Sequence, residues 1–152
     1  MPSIKITNID LVMQQPALST AFGFGNASII PWLGFYQGSA PTKSDLSSID
    51  ISTFRQTDLL WSASMTRAVE STPGIWTIGE TTFLPAVAFN NATWYLFGGK
   101  DKTGGAMHGV VIGDVTSLGQ GGQFQVNTVS FSSTNKYRVN GLVVQFPYTF
   151  TY

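Results

Sequence analysis

Residues 92–115 decide the fold class, and they read ATWYLFGGKDKTGGAMHGVVIGDV. Two runs rich in β-branched and aromatic residues, Thr93–Phe97 and Gly109–Val115, enclose the glycine-rich segment Gly98–Gly105. Such runs are typical of strands, whereas glycine supplies the backbone freedom that tight turns require. The stretch therefore predicts two strands that are joined by a flexible hairpin loop.

The strand pattern recurs on both sides of this stretch. No segment of eleven or more residues keeps the spacing of an amphipathic helix, and the glycine-rich segment 118–122 predicts a second hairpin turn. Some segments alternate apolar and polar residues, and others are more continuously apolar. The further predicted strands are Ile4–Ile6, Ser28–Tyr36, Asp58–Ser62, Phe124–Thr128, Lys136–Asn140 and Gly141–Phe146.

Short strands separated by Gly, Pro and Ser at spacings of about 8 to 12 residues favour an all-β fold over a parallel α/β sheet. We therefore predict an antiparallel two-sheet sandwich of the jelly-roll or Greek-key type, formed as a single domain. This β-sandwich domain comprises residues 19–152. Residues 1–18 form either its first strand, which is the simpler interpretation, or an extended N-terminal arm that adds to the sheet edge of a neighbouring subunit.

Charge is scarce in this chain. Only 11% of the residues are charged, and eight Lys and Arg balance eight Asp and Glu. Long-range attraction to nucleic acid or to an anionic membrane requires excess positive charge, so we expect neither partner. No apolar run is long enough to span a bilayer, and Met1–Ser19 lacks the pattern of a secretory signal, which predicts synthesis and folding in the cytoplasm.

Few residues in the sequence are suited to catalysis or to metal binding. The chain has no cysteine and a single histidine, His108, which lies outside any Gly-x-Ser-x-Gly nucleophile motif. The acidic residues form no evident pair for glycoside hydrolysis, and Gly98–Gly105 lacks the order of a phosphate-binding loop. We expect a protein that is not an enzyme, with no catalytic, cofactor-binding or metal-binding residues and no cofactor.

Carbohydrate binding is one alternative, because an exposed aromatic ring can stack on a sugar. The four tryptophans, Trp32, Trp61, Trp76 and Trp94, each lie in an apolar stretch, which favours burial. Trp76 follows Pro73–Gly74 and is the candidate ligand-binding aromatic residue.

Protein–protein contact is the other alternative, because permanent interfaces are apolar and aromatic with few charges. We predict a homo-oligomer whose assembly contacts lie at both ends of the chain. These predicted contacts are Ile4, Ile6, Leu11, Phe146, Tyr148, Phe150 and Tyr152.

Several segments follow one another in a recognisable order. Residues 21–29 and 35–41 form a small-residue strand and a Ser-Ala-Pro loop. Next come an aromatic strand at Ala92–Phe97 and a strand with a Gly-Asp pair at Gly109–Val115. They are followed by a glycine-rich turn with a strand that ends near Thr-Val-Ser, at Gly122–Phe131, and by a last apolar strand at Val139–Phe146. In this order the chain resembles small structural proteins of tailed bacteriophage virions. The resemblance covers a little over half of the chain and leaves Ile49–Pro85 outside.

The resemblance implies a noncatalytic virion component that is present in many copies and is assembled in the host cytoplasm. The expected role is a capsid decoration or cement protein that binds the major capsid protein or other virion proteins. A tail, neck or baseplate subunit is the alternative role within the same class, and a lectin-like carbohydrate-binding module is the alternative outside it.

Overall fold

The computed structural model of the chain describes residues 3–5, 28–42, 49–65, 68–72, 75–78, 83–139 and 142–145. Every regular element within these residues is a strand, which confirms the predicted all-β class. In chain order the strands are β1 (Ser3–Lys5), β2 (Ile29–Tyr36), β3 (Leu59–Ser64), β4 (Ala68–Thr72), β5 (Ile75–Ile78), β6 (Leu84–Pro85), β7 (Asn90–Asn91), β8 (Trp94–Asp101), β9 (Met107–Ser117), β10 (Phe124–Val126), β11 (Ser130–Phe131), β12 (Lys136–Tyr137) and β13 (Leu142–Gln145).

A five-stranded sheet in the order β10-β9-β8-β2-β3 is the larger of the sheets. The predicted hairpin of residues 92–115 supplies β8 and β9, which pair antiparallel. The strands extend into the predicted loop, since β8 runs to Asp101 and β9 begins at Met107. Strand β2 lies between β8 and β3 and is antiparallel to both.

Both faces of this sheet are apolar and buried. One face carries the main core, a cluster around Phe35 that includes Leu33, Trp61, Tyr95 and Phe97. The opposite face carries a second cluster whose buried members include Trp32, Tyr36, Trp94, Leu96 and Val110. Strand β2 contributes to both clusters because successive side chains of a strand point to opposite faces.

Residues 49–58, which we call the strap, cover the second cluster. The Ile51 N–H donates to the Gly105 carbonyl oxygen (2.9 Å), and the Met107 N–H donates to the Ile49 carbonyl oxygen (3.0 Å). These bonds fasten the strap beside the β8–β9 hairpin, where its residues Ile49 and Ile51 join the cluster. We therefore call the second cluster the strap core.

A four-stranded sheet in the order β1-β13-β5-β4 is the second sheet. Strands β13, β5 and β4 pair antiparallel, whereas β1 pairs parallel with β13. The backbones of Ile4, Val144, Trp76 and Glu70 share one register row across the four strands. The predicted antiparallel pairing is therefore wrong for β1 and β13. Parallel strands need a long connection, and the chain between β1 and β13 is long enough to provide it.

The predicted second hairpin at residues 118–122 is also wrong, because β10 pairs parallel with β9. The chain reverses twice in the connection, where Gly119 and Gly121 adopt φ values of 83° and 81° that favour glycine. Polar side chains of β9 hold the returning chain. Thr116 Oγ1 accepts from the Gly122 N–H, and Asp114 Oδ1 accepts from the Gln123 N–H, each at 3.0 Å.

Two short antiparallel pairs, β6 with β12 and β7 with β11, lie against the main core. Strand β11 contributes Phe131, whose ring centroid lies 5.6 Å from that of Phe35. Ala86, between β6 and β7, is buried in the same cluster. This arrangement positions the chain segment that carries the candidate site.

Candidate functional site

Residues 83–89, FLPAVAF, are apolar at every position and alternate strictly between core and surface. Leu84, Ala86 and Ala88 contact the main core. The side chains at the odd positions are exposed on the opposite side, and they form a surface that we call the outer stripe. The outer stripe consists of Phe83, Pro85, Val87 and Phe89.

The outer stripe exposes large apolar side chains to an unusual degree. Phe83, Val87 and Phe89 are exposed by 56%, 63% and 73%, and Leu118 is the remaining large exposed apolar side chain among the described residues. Single exposed apolar residues are common on protein surfaces, whereas contiguous ones often mark an interaction site. Three such residues within seven positions fit the second case.

Hydrogen bonds on both sides hold the backbone under the outer stripe in place. The Val87 N–H donates to the Leu60 carbonyl oxygen of β3 (2.8 Å), and the Ala86 N–H donates to the Asn135 carbonyl oxygen (3.3 Å). The indole N–H of Trp61 donates to the Leu84 carbonyl oxygen (3.3 Å). The stripe is therefore presented on a fixed backbone, which reduces the entropy that a partner must overcome on binding.

Basic residues flank one end of the outer stripe. The Arg138 guanidinium carbon lies 4.4 Å from the centre of the Phe83 ring, a cation–π arrangement. Lys136 is exposed and is the register partner of Pro85. Lys136 and Arg138 therefore place two basic side chains near the Phe83 end of the stripe.

Of the residues that the sequence predicted as contacts or as a ligand aromatic, the structure describes Ile4 and Trp76, and neither belongs to the outer stripe. Ile4 lies in β1 and Trp76 lies in β5, and each backbone is the register partner of Val144. The other predicted contacts lie outside the described residues, so their assignment stays a prediction. They are Ile6, Leu11, Phe146, Tyr148, Phe150 and Tyr152.

Sequence reasoning missed the outer stripe, although a signal was present. A half-buried strand alternates apolar and polar residues, whereas residues 83–89 carry apolar side chains at odd and even positions alike. Such a segment has two faces to bury. Within the described residues only the even face is covered, and the exposed odd face is the candidate site.

Three of the four tryptophans are buried, as predicted. Trp32 is 5% exposed, and Trp61 and Trp94 are each 1% exposed. The Trp94 indole N–H donates to the Gln37 carbonyl oxygen at 3.0 Å, and its ring stacks on Tyr36 with centroids 4.2 Å apart. Their rings are therefore inaccessible to a sugar, and Trp76 stays the predicted ligand aromatic.

Tyr36 is the most unusual polar group of the strap core. Its hydroxyl is buried without a hydrogen-bond partner among the described residues, and burial raises the pKa of the hydroxyl. The Tyr36 ring is held between Trp94 and Phe54 of the strap. Burying a hydroxyl without a partner costs free energy, so aromatic packing must compensate for it.

His108 contacts Asp101 at the end of the β8–β9 hairpin. The two side chains approach to 2.5 Å, and both are about one-third or more exposed, at 34% and 41%. The adjacent Lys100 ammonium donates to the carbonyl oxygens of Asp101 and Gly104. The pair joins the ends of β8 and β9, which is the geometry of a hairpin cross-link.

The described part of the chain contains no group of three or more His, Asp or Glu side chains that is arranged to hold a metal ion. None of the described residues belongs to a helix that is long and apolar enough to cross a bilayer.

Comparison with known proteins returns no match. No protein-family model, no curated protein and no solved structure matches the chain.

Proposed function

We propose that the chain is a noncatalytic structural protein of a tailed bacteriophage virion, and that it acts as a capsid decoration or cement protein. The observation that carries this proposal is the outer stripe, an exposed apolar surface on a hydrogen-bonded backbone. A surface of this kind suits repeated, permanent contact with another protein. The order of sequence segments that resembles virion proteins supplies the class.

The low charge of the chain also supports a role in assembly. With 11% charged residues and no net charge, much of the surface is suited to contact with other subunits. The proposed partners are the major capsid protein or other virion proteins, and the protein forms a homo-oligomer. Membrane, nucleic acid and cofactors play no part in this proposal, and the place of action is the virion.

The proposed architecture is a single domain in which the four-stranded and five-stranded sheets form a jelly-roll sandwich. Support comes from the five-stranded sheet, which buries apolar clusters on both faces. Strand β1 pairs with β13 of the same chain, so Ser3–Lys5 is described as a strand of this sheet. The aromatic C-terminus and the other predicted contacts would add further assembly surface.

A tail, neck or baseplate position is the second form of the same proposal, because a contact surface serves equally well there. A lectin-like function depends on Trp76, whose register partners are Val144 and Glu70. The burial of Trp32, Trp61 and Trp94 favours the structural role over the lectin.

The test is co-purification with particles. We expect the chain to band with intact virions of the source phage on a density gradient, and to stay with heads after heads and tails are separated. Immunoblotting of each fraction measures this. Fractionation with tails selects the second form of the proposal, and absence from every particle fraction contradicts both.

A further inference from the structure

We infer that the strap opens as a unit from the folded protein and uncovers the strap core, while the five-stranded sheet and the main core stay folded. Residues 49–58 then act as a releasable cover over the face of the sheet that carries the stacked rings of Tyr36 and Trp94. The inference goes beyond the proposed function and does not depend on it. It follows from how the strap is attached and from two free-energy costs that are located at the strap.

Hydrogen bonds attach the two ends of the strap to other described parts of the chain. At the first end lie the two backbone bonds that join Ile49 and Ile51 to the β8–β9 hairpin. At the second end, Gln37 donates from its backbone N–H to the Asp58 carbonyl oxygen (2.9 Å) and from its side-chain amide to the Thr57 carbonyl oxygen (3.2 Å). Breaking a few bonds at two places therefore releases both ends.

The middle of the strap forms hydrogen bonds within itself. The N–H groups of Thr53 and Phe54 both donate to the Asp50 carbonyl oxygen, at 3.1 and 2.9 Å. The Asp58 N–H donates to the Arg55 carbonyl oxygen at 2.9 Å. Because both partners of each bond belong to the strap, opening breaks none of these bonds, and the strap can move as one piece.

Contacts from the middle of the strap to other elements are partly exposed to water. The half-buried Phe54 ring meets Tyr36 and Trp94 edge-on, with centroids 6.4 and 6.5 Å apart. The Arg55 guanidinium donates to the Ser39 carbonyl oxygen at 3.2 Å, and its side chain is 34% exposed, so water can replace this bond. The closer stack of Tyr36 on Trp94 lies within the sheet and remains when the strap leaves.

Apolar burial favours the closed form. Ile49 and Ile51 are 5% and 8% exposed and belong to the strap core. Removing two such side chains from water stabilises the closed strap, so it is the main form at equilibrium. The open form is accessible only if other contributions offset part of this gain.

Two costs of closure provide that offset. The Tyr36 hydroxyl is buried without a hydrogen-bond partner, and it is the only such side-chain group among the described residues. Arg55 has a φ of 48°, and over the same residues no other residue except glycine has a positive φ. Both costs are recovered on opening, because the hydroxyl meets water and the backbone of Arg55 is free to relax.

The shared location of these two costs points to the strap as the element with two states. Strained backbone and unpaired buried polar groups are rare in folded proteins, and each calls for a physical explanation. Here the strain lies in the strap and the unpaired hydroxyl lies directly beneath it. A cover that opens is one element whose movement relieves both costs together.

Hydrogen exchange followed by NMR, on the full chain and at several urea concentrations, tests the opening. The amides of Ile51, Met107 and Gln37 donate three of the bonds that the strap must break. We expect them to share one protection factor, about a hundredfold or more below that of bonded amides in the middle of β8. Their exchange should depend little on urea, because local opening exposes little surface.

Fraying of the β8–β9 hairpin end is the alternative that this experiment must separate. The Asp101 N–H donates to the Ala106 carbonyl oxygen (3.0 Å) within the hairpin, so this bond survives when the strap opens. Fraying would release Asp101 together with Ile51 and Met107 and would leave Gln37 protected. That pattern of exchange would overturn the inference.

An engineered disulfide locks the strap and supplies its own control. The chain has no cysteine, and Asp50 and Ala106 are exposed partners in an isolated antiparallel bridge, a separation that suits a disulfide. In the variant Asp50→Cys with Ala106→Cys, oxidation should raise the protection of Ile51 and Gln37 by about thirtyfold or more. Their exchange should then acquire the urea dependence of the β8 amides, and reduction with dithiothreitol should reverse both changes.

Substitutions at the two costs test the physical basis of the opening. Tyr36→Phe removes the unpaired hydroxyl and should raise the protection of the strap amides by about twofold to fivefold. Arg55→Gly and Arg55→Ala both remove the guanidinium, but only alanine keeps the strain at positive φ. Protection should therefore be about twofold to fivefold higher in the glycine variant than in the alanine variant.

Three results would overturn the inference. The first is equal protection and equal urea dependence for the strap and β8 amides of the unaltered chain, because the strap would then open only on global unfolding. The second is a disulfide that protects Ile51 but leaves Gln37 unchanged, because the two ends would then open separately. The third is unchanged protection in Tyr36→Phe together with equal protection in the two Arg55 variants.

Discussion

Strand β2 and residues 83–89 are built from similar sequence but end in different environments. Both segments are apolar at successive positions, and both direct alternate side chains to opposite sides. Strand β2 is covered on one side by the main core and on the other by the strap core. Among the described residues, 83–89 are covered on one side only. An apolar segment with two faces has two surfaces to bury, and the described part of the chain buries both for β2 and one for residues 83–89.

The largest expected effect on stability is that of replacing Phe35 in β2, and its counterpart in residues 83–89 is the replacement of Phe89 described below. Phe35 is 3% exposed and contacts Phe124, Trp61 and Phe131 with ring centroids 5.2 to 5.6 Å apart. We expect Phe35→Ala to lower the free energy of unfolding by about 3–5 kcal/mol, because it removes a packed ring and leaves a cavity. Urea denaturation measures the change. A loss below about 1 kcal/mol would contradict the description of β2 as covered on both sides.

A smaller effect tests how closely β8 and β9 approach. A Cβ atom on Gly98 would clash with the backbone carbonyl oxygen of Gly109 and with the Met107 side chain. We expect Gly98→Ala to lower the free energy of unfolding by about 1–3 kcal/mol, because the backbone must shift. Gly104→Ala is the control, since its nearest neighbour would be Asp101 Cβ at 3.8 Å. Equal midpoints in thermal unfolding for the two variants would refute the close approach.

In the strap core, one substitution is expected to leave the stability of the protein unchanged or to increase it. Tyr36→Phe removes a buried hydroxyl without a partner and keeps the ring stacked on Trp94. We expect stability at pH 7 to be unchanged or raised by up to about 1 kcal/mol. A loss above about 1 kcal/mol would show that the hydroxyl is hydrogen-bonded in solution.

The pH dependence of the same variant has a definite sign. Burial raises the folded-state pKa of Tyr36 above its unfolded value of about 10. Below pH 10 both states keep the proton, whereas above it the unfolded state releases the proton first and is favoured. The unaltered chain should therefore lose stability relative to Tyr36→Phe as pH rises above 10, measured by urea denaturation at pH 9 to 11. Parallel pH curves would contradict burial of the hydroxyl.

The smallest expected effect on stability falls on the outer stripe. Phe89 is 73% exposed, so Phe89→Ala should change the free energy of unfolding by less than about 0.5 kcal/mol. A small change for Phe89→Ala beside a large loss for Phe35→Ala would show that the Phe35 ring stabilises the fold, whereas the Phe89 ring is available to a partner. A loss of 2 kcal/mol or more, about the level of a core substitution, would mean that Phe89 is covered by its own chain.

Much of the fold was predictable because local signals and the final structure agree. The apolar runs at β2, β3, β8 and β9 predicted strands within a few residues of their observed bounds. The prediction of a second hairpin at residues 118–122 was wrong because glycine indicates backbone freedom but does not indicate the direction in which the chain continues. Asp114 and Thr116 accept hydrogen bonds from the N–H groups of Gln123 and Gly122, and these bonds help to hold the returning chain beside β9. These bonds join residues of a strand to a loop, and no local pattern reveals them.

The candidate site was less predictable than the fold. The sequence pattern predicted assembly contacts at the ends of the chain, and it assigned no role to residues 83–89. Exposure depends on which elements cover a segment, and this is a property of the assembled chain. The run FLPAVAF shows two apolar faces in the sequence, but only the packing of Leu84, Ala86 and Ala88 on the main core identifies the exposed face.

The order of the five-stranded sheet has a consequence for how fast the protein folds. Strands β8 and β9 form a local hairpin, but the central seam between β2 and β8 joins distant parts of the chain. Across this seam the Thr93 N–H donates to the Tyr36 carbonyl oxygen, 57 positions away in sequence. Closing so long a loop costs entropy before its contacts form, which places the chain among slow-folding β proteins with times of about milliseconds to seconds. During that interval the aromatic faces of β2 and β8 are unprotected, so folding yield should fall as protein concentration rises.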